Sequence, residues 1–256
     1  MNKKNIKVVI LAGGYGTRLG TLTKLKPKPM VDVCGKPIIE HIMQTYIKYG
    51  FSNFIVCAGY KSEVLKKYFN KKFKKNVLIN TKNQIFIKRN NFSIRIVDTG
   101  KNSLTGGRIR RVKKFLKKDE YFHVTYGDGL SNVNIDKLTK FHLKNKKLAT
   151  VTAVKIQVPQ ERFGVVYFKN KNIVREFVEK PDIKEIFING GFFVLNNKIF
   201  KFIKNDSIRW EAKPMEKIAK LKQLAAFKHT GFWKCMDTLR DRKYLEKFKK
   251  KKFPWS

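Results

Sequence analysis

Acidic residues are scarce in this sequence, and their scarcity leaves an extreme positive charge. The 256 residues include 19 Asp and Glu against 58 Lys and Arg, which gives a formal net charge of +39. Such an excess suggests a nucleic-acid partner, but a nucleic-acid surface usually concentrates its basic residues in a patch or stripe. Here they are spread along the chain, and 47 Lys against 11 Arg, with 19 Asn, is typical of AT-rich coding. We therefore expect most of the charge to be background, with no specific nucleic-acid partner.

Other absences narrow the class of protein further. Three Cys and four His provide neither a disulfide framework nor a zinc signature, which favours a reducing, cytoplasmic location. No apolar run reaches the roughly 20 residues of a membrane span, and the run at residues 8–12 is too short for a signal-peptide core. With 42% hydrophobic residues, the chain is too apolar for a disordered basic tail. We therefore expect a globular protein without a membrane partner.

Strand-like and helix-like segments alternate through the first 150 residues. The pattern predicts strands at 7–11, 53–58, 94–97, 121–126 and 149–156, and helices at 37–49, 62–69, 109–116 and 135–143. This alternation is typical of an α/β fold with a mostly parallel sheet covered by helices. Such sheets bind ligands beyond the carboxyl ends of their strands. The Lys- and Asn-rich residues 70–93 have weak periodicity, and we expect them to form a surface excursion.

Short β segments dominate the next part of the chain. We predict strands at 164–168, 173–178, 191–195 and 224–228, and helices at 198–203, 214–221 and 238–248. The sequence has no internal repeat and no low-complexity linker. We therefore expect one domain over residues 1–256, with a first half to about residue 150 and a β-rich second half from about residue 151.

A glycine-rich segment follows the first predicted strand, with the sequence ILAGGYGTRLGTLTKLKPKPM from Ile10. Glycines permit positive φ and a close approach of the backbone to a ligand, and successive amides can bind phosphate oxygens. Arg18 and Lys28 can add charge-assisted contacts, and the flanking prolines predict an extended backbone at Lys28. The third glycine of a dinucleotide loop and the Gly-Lys-Ser/Thr of a Walker loop are both missing. A tight strand-to-helix turn is the alternative.

Two isolated carboxylates stand out in this basic chain. Asp128 lies between two glycines directly after a predicted apolar strand, and Asp237 precedes the last predicted helix. Mg²⁺ prefers hard oxygen ligands and often takes one or two carboxylates together with substrate phosphate. The alternatives are local: Asp128 could be a turn residue that caps the next helix, and Asp237 could be an N-cap.

GGxGTRL followed by KPKPM resembles the signature of the sugar-phosphate nucleotidyltransferases. The resemblance implies a Rossmann-like α/β fold with a nucleotide-binding first half and a second half for sugar-phosphate binding and oligomerisation. It implies catalytic roles for Arg18, Lys28, Asp128 and Asp237, the last two as Mg²⁺ ligands. The implied nucleotide-binding residues in these motifs are Leu11, Ala12, Gly13, Gly14, Gly16, Thr17, Arg18, Lys28 and Gly127.

Two later motifs extend the resemblance to the sugar side. In VEKP, Glu179 is implied to contact sugar hydroxyls and Lys180 the sugar phosphate. In INGG, Asn189 and Gly190 are implied to lie along the sugar. From the residues alone, Asn189-Gly190 is equally typical of a hairpin turn.

Further segments are similar to the branch of this family that couples CTP to glucose 1-phosphate. They include TGGRIRRV at 105–112, TYGDG at 125–129 and GFWKCMDTLRD at 231–241. This closer resemblance implies nucleotide contacts by Ser103, Thr105 and Arg108. It also implies synthesis of CDP-glucose and pyrophosphate by a homo-oligomer, for which a hexamer is one candidate, in deoxysugar supply for a surface polysaccharide such as O-antigen. The alternatives are the same chemistry with UTP, dTTP or GTP or with another sugar, and a nucleic-acid-binding protein on the same scaffold.

Overall fold

The computed structural model describes residues 3–156, 165–170, 173–178 and 186–256. Within these ranges the chain forms fifteen strands: β1 (Lys7–Ala12), β2 (Asp32–Val33), β3 (Lys36–Pro37), β4 (Asn53–Ala58), β5 (Val77–Asn80), β6 (Gln84–Arg89), β7 (Phe92–Asp98), β8 (Tyr121–Tyr126), β9 (Gly129–Ser131), β10 (Ala149–Ile156), β11 (Val165–Asn170), β12 (Ile173–Val178), β13 (Ile186–Asn196), β14 (Leu224–His229) and β15 (Trp233–Cys235). The α-helices of the same ranges are α1 (Leu22–Leu25), α2 (Ile38–Ile47), α3 (Ser62–Lys72), α4 (Thr105–Arg111), α5 (Ile135–Asn145), α6 (Lys213–Lys220) and α7 (Leu239–Glu246).

Nine of these strands form one sheet in the order β14-β10-β13-β8-β1-β4-β7-β6-β5. The central strands β8, β1, β4 and β7 are parallel neighbours, and β14 is parallel to β10. Only β13 and β6 run against the common direction. The predicted α/β class with a mostly parallel sheet is therefore confirmed.

The sheet is buried on both faces, as parallel strands require. Successive side chains of a strand point to opposite faces, so Val8 and Ile10 of β1 join one apolar layer and Val9 and Leu11 join the other. The first layer includes side chains of α2, α3 and α5, and the second includes Ile109 of α4 and Ile218 of α6. The apolar run that predicted the first strand thus reflects burial from both sides.

The expectation of a surface excursion at residues 70–93 is wrong. Strands β5 and β6 lie in this segment and extend the main sheet at one edge, with β6 antiparallel to β7. Ile85 and Ile87 of β6 are fully buried in the core, whereas Lys88 and Arg89 at its end are exposed. Abundant Lys and Asn between few apolar residues obscured an edge strand with one buried face.

The helix predicted at 109–116 begins earlier and ends sooner than expected. Helix α4 spans Thr105–Arg111, and a short 3-10 turn follows at Lys113–Phe115. Two consecutive glycines at 106 and 107 weaken the helical signal, yet this start of α4 contacts the chain near Ile208. The predicted hairpin strands are confirmed in β11 and β12, which pair antiparallel.

Candidate active site

Several of the motifs identified in the sequence line one cleft at the carboxyl ends of β1 and β8. These strands are parallel neighbours with Leu11 aligned to Tyr126, so the segments that follow them begin side by side. The cleft has a volume of about 490 Å³, and its lining includes the glycine loop, Lys28, residues 101–105, Asp128 and Asp237. Its position is the usual ligand site of an α/β sheet, and its size suits a small-molecule ligand.

The glycine loop lines the cleft as predicted, through Leu11, Ala12, Gly13, Gly14, Gly16, Thr17 and Arg18. Gly16 has a φ of 66°, in the left-handed region that favours glycine. A Cβ on Gly13 would lie 2.0 Å from a guanidinium nitrogen of Arg108, whereas one on Gly14 would meet no atom within 4 Å. Backbone conformation and packing therefore require Gly16 and Gly13, and Gly14 leaves open space beside the backbone.

Arg108 is buried and cross-links the glycine loop to the end of β7. Its Nη2 donates a hydrogen bond to the Gly13 carbonyl oxygen at 2.8 Å, and its Nη1 donates to Thr99 Oγ1 at 2.8 Å and to the Gly100 carbonyl at 2.9 Å. Burial lowers the pKa of the guanidinium. The predicted contact between Arg108 and a nucleotide stays a prediction. The contacts in the structure hold the glycine loop in place.

Lys28 lies at the centre of the charged part of the cleft. Its Nζ donates to Asp128 Oδ2 and to Asp237 Oδ1, each at 2.6 Å. Burial lowers the pKa of this amine, but the attraction and hydrogen bonds of the two carboxylates outweigh burial, so the pKa is raised overall. The ammonium is therefore firmly charged at neutral pH.

The expected extended backbone at Lys28 is wrong. A 3-10 turn spans Lys28–Met30, and Pro29 occupies one of its first positions. Proline is tolerated in the first turn of a helix because no amide hydrogen is needed there. Pro27 is extended, with φ −69° and ψ 154°, so the turn begins at Lys28 itself.

Asp128 and Asp237 are brought together from the middle of the chain and from near its end, although 109 positions separate them in sequence. One ligand atom from each of Asp128, Asp237 and Cys235 can be chosen so that all three lie within 4.8 Å of one another. Burial raises the pKa of the Cys235 thiol, and its soft sulfur is not a ligand that hard cations prefer. The donor set is thus a pair of carboxylates, which fits a hard divalent cation such as Mg²⁺.

Asp237 is positioned by the start of α7 and is not the N-cap. Thr238 is the N-cap, and its side chain forms a capping box with Asp241. Asp241 Oδ2 also accepts a hydrogen bond from the Asp237 amide at 3.1 Å. Burial raises the pKa of Asp241, but its contacts with Lys234 and Thr238 outweigh burial and lower the pKa to about 2. The N-cap reading of Asp237 is therefore wrong. Asn134 caps α5, so the capping alternative for Asp128 is wrong as well.

Of the two motifs predicted for the sugar side, the structure describes only INGG. Glu179 and Lys180 lie outside the described residues. Asn189 and Gly190 lie within the long strand β13, so the hairpin-turn reading of this pair is wrong. Gly190 accepts a hydrogen bond from Trp233 Nε1 at 2.8 Å, and Asn189 Nδ2 contacts the Tyr126 hydroxyl at 3.2 Å. A register shift in the pairing of β13 with β10 disrupts the strand at this point.

Ser103 and Thr105 line the cleft, and Thr105 leads to a carboxylate that the sequence analysis left out. Thr105 Oγ1 donates to Glu211 Oε2 at 2.6 Å, and the Tyr126 hydroxyl donates to Glu211 Oε1 at 2.6 Å. Gly127, also in the lining, donates its amide to the Leu11 carbonyl at 3.0 Å. Glu211 carries no local motif, so only its neighbours in space reveal it.

The arrangement combines a glycine loop, a lysine and a carboxylate pair, which together suit a nucleotide polyphosphate with a divalent cation. A family model described as nucleotidyl transferase matches residues 7–239. The chain belongs to the nucleotidyl transferase family. It is 45% identical to a glucose-1-phosphate cytidylyltransferase of Salmonella typhimurium, and the match covers 98% of each chain.

Two solved structures have the same fold. HddC of Yersinia pseudotuberculosis superposes with a TM-score of 0.65 at 26% identity, covering 95% of this chain and 99% of that one. UDP-glucose pyrophosphorylase in complex with UDP-glucose gives a TM-score of 0.66 at 19% identity, covering 94% of this chain and 97% of that one. The Rossmann-like fold implied by the sequence motifs is thereby confirmed.

Proposed function

We propose that this nucleotidyltransferase makes CDP-glucose and pyrophosphate from CTP and α-D-glucose 1-phosphate. The observation that carries the proposal is the Lys28–Asp128–Asp237 cluster beside the glycine loop, in one cleft. The Lys28 ammonium can contact a triphosphate, and the two carboxylates can hold a divalent cation whose charge would offset that of the phosphates. The choice of CTP and glucose 1-phosphate is supported by the relative of Salmonella typhimurium, which matches along nearly the whole chain.

The reaction transfers a nucleotidyl group in one displacement. An oxygen of the glucose 1-phosphate attacks the α-phosphorus of CTP, a new P–O bond forms, and the bond to the departing pyrophosphate breaks in line. The attacking phosphate oxygen is anionic at neutral pH, so the step needs neither a covalent enzyme intermediate nor a general base. The residues therefore act by positioning two polyanions and balancing the charge that develops.

The predicted catalytic residues and the glycine loop each have a role in this proposal. The amides of the glycine loop cradle the triphosphate, and Arg18 and Lys28 offset its charge. Mg²⁺ bound by Asp128 and Asp237 would polarise the α-phosphate and stabilise the leaving pyrophosphate.

On the sugar side, Lys180 holds the phosphate of the second substrate, and Glu179, Asn189 and Gly190 line its sugar. These roles divide the chain into a nucleotide half to about residue 150 and a sugar-phosphate half beyond it.

A nucleotide panel tests the proposal. Pyrophosphate release is measured with glucose 1-phosphate and each of CTP, UTP, dTTP and GTP, in the presence and absence of Mg²⁺. We expect release with CTP and Mg²⁺, and little with the other nucleotides. Equal or faster release with another nucleotide would overturn the assignment of CTP and favour the same chemistry on a different base.

Variants of the carboxylate pair test the metal assignment. Asp128→Asn and Asp237→Asn each remove one charge and one hard ligand, and we expect each to abolish turnover. The matched control is Asp136→Asn, because Asp136 forms ion pairs with Lys3 and Lys140 and does not line the cleft. Near-normal turnover in either of the first two variants would refute their role as metal ligands.

We also propose that the protein works as a cytoplasmic homo-oligomer without a nucleic-acid partner. Among the described residues, no helix is long and apolar enough to cross a membrane. Light scattering would measure the subunit number, and fractionation of the cell would test the location. RNA binding at physiological salt without pyrophosphate release would instead favour a nucleic-acid-binding protein.

A further inference from the structure

Glu211 is an acidic side chain in a cleft for which we propose two polyanionic substrates. It lines the same cavity as the glycine loop and Asp128. Its Oε2 accepts from Thr105 and its Oε1 from Tyr126, both at 2.6 Å. A carboxylate only accepts hydrogen bonds, and each of its oxygens can accept more than one. Glu211 is thus suited to neutral donor groups and unsuited to phosphate.

Two glycines in α4 allow the segment before Glu211 to pack closely against this helix. The amides of Gly106 and Gly107 both donate to the Ile208 carbonyl, at 2.9 and 3.3 Å. A Cβ on Gly106 would lie 2.7 Å from that oxygen, and one on Gly107 would lie 2.2 Å from the Asp206 carbonyl oxygen. Any larger residue would therefore push residues 206–208 away from α4.

The next residues fix the carboxylate itself. Trp210 is fully buried, and its amide donates to Thr105 Oγ1 at 2.9 Å. The Thr105 hydroxyl in turn donates to Glu211. The TGG sequence that begins α4 thus holds Glu211 by backbone packing, by the Trp210 anchor and by a side-chain hydrogen bond.

The polar contacts continue from Glu211 to the sugar-side residues. The Tyr126 hydroxyl, which donates to Glu211, also accepts from Asn189 Nδ2 at 3.2 Å. The Tyr126 ring lies against Gly191, where a Cβ would be 2.6 Å from a ring carbon. Thr105, Glu211, Tyr126 and Asn189 therefore form one chain of contacts from the nucleotide-side residues to the sugar-side residues.

We propose that Glu211 is a substrate-binding residue that accepts hydrogen bonds from sugar hydroxyls. The hydroxyls belong either to the hexose of the sugar phosphate or to the ribose of the nucleotide, since the carboxylate lies between residues predicted for the two substrates. This inference rests on the proposed function, because it takes a sugar phosphate and a nucleotide as the occupants of the cleft.

The test is Glu211→Gln, which keeps the size of the side chain and removes its charge. A glutamine amide can still bond the Thr105 and Tyr126 hydroxyls, so the fold is retained. Steady-state kinetics are measured with glucose 1-phosphate, CTP, dCTP and UTP, and the affinity for CDP-glucose is measured by calorimetry. Glu216→Gln is the matched control, because Glu216 is exposed in α6 and does not line the cleft.

A lost hydrogen bond to a charged group corresponds to a rise in KM or Kd of about tenfold to a hundredfold. If the hexose is the partner, the KM for glucose 1-phosphate rises. If the ribose is the partner, the KM for CTP rises and the preference for CTP over dCTP is lost. Either result supports the proposal when the control behaves as wild type and the melting temperature is retained.

Three outcomes would overturn the assignment. They are unchanged KM values, a loss confined to kcat and melting temperature, and a changed choice between CTP and UTP with both hydroxyl arms unaffected. Failure of the proposed function is separate, because the wild-type protein would then release no pyrophosphate from any nucleotide in the panel.

Discussion

Replacing Lys28 by methionine should convert the carboxylate pair into a stronger metal site in the absence of nucleotide. The Lys28 ammonium contacts Asp128 and Asp237, and its side chain is 12% exposed. Methionine retains most of the length and the apolar contacts and removes the charge. Asp128 and Asp237 would then face each other without the cation that they share.

The expected size follows from these contacts. Two unit charges 4 Å apart attract by about 4 kcal/mol at an effective dielectric constant of 20. The carboxylates are 23% and 32% exposed, so water screens part of this attraction, and the lysine regains hydration when the pair is broken. We expect a loss of about 1–3 kcal/mol in the free energy of unfolding without metal. At about 2–4 °C per kcal/mol, the melting temperature should fall by about 2–12 °C.

The assay compares thermal unfolding with and without Mg²⁺, and Mn²⁺ binding by titration, with no nucleotide present. Mg²⁺ should raise the melting temperature of Lys28→Met more than that of the wild type, because a ligand that binds the folded state stabilises it. Lys24→Met, at an exposed position of α1, is the matched control. Equal metal affinity in wild type and Lys28→Met, or unchanged stability, would refute the reasoning.

Other features give predictions that stability measurements can check. Burial lowers the pKa of His123 to about 3, so the unfolded state takes up a proton first as the pH falls below about 6.5. Between about pH 6.5 and pH 3 the free energy of unfolding should therefore fall by up to about 1.4 kcal/mol for each pH unit. His123→Gln should flatten this slope in urea titrations at stepped pH. Thr238→Ala removes the N-cap of α7 and should lower the free energy of unfolding in urea by about 1 kcal/mol. An unchanged free energy of unfolding would show that the Thr238–Asp241 contact does not stabilise the fold. Gly191→Ala forces a φ of 79° on alanine and a methyl group against the Tyr126 ring, so it should cost about 1–3 kcal/mol, and a wild-type melting temperature would contradict the packing.

Much of the fold followed from local patterns in the sequence. The run VVILA predicted β1 because a strand buried on both faces must be apolar at every position. The glycine loop and the Asp between two glycines predicted two parts of the cleft lining, because glycine spacing and an isolated carboxylate are visible in one short segment. Resemblance to a family then connected these segments, which composition alone could not do.

Features that depend on distant partners were decided only by the tertiary structure. Strands β5 and β6 were hidden in a Lys- and Asn-rich segment, because their burial comes from pairing with β7. Arg108 donates hydrogen bonds to the carbonyl oxygens of Gly13 and Gly100 and to the Thr99 hydroxyl, and its contact with a nucleotide stays a prediction. Local sequence does not record which carbonyl oxygens surround a guanidinium after folding.

Sequence alone therefore determined the kind of chemistry, since the chemical types needed for phosphate and metal binding occur in short motifs. The tertiary structure decided which groups share the site. It brought Lys28 between two aspartates from distant parts of the chain, and it brought Glu211 to Thr105 and Tyr126. The physical reason is that hydrogen bonds and ion pairs act over a few ångströms in space, whatever the separation along the chain.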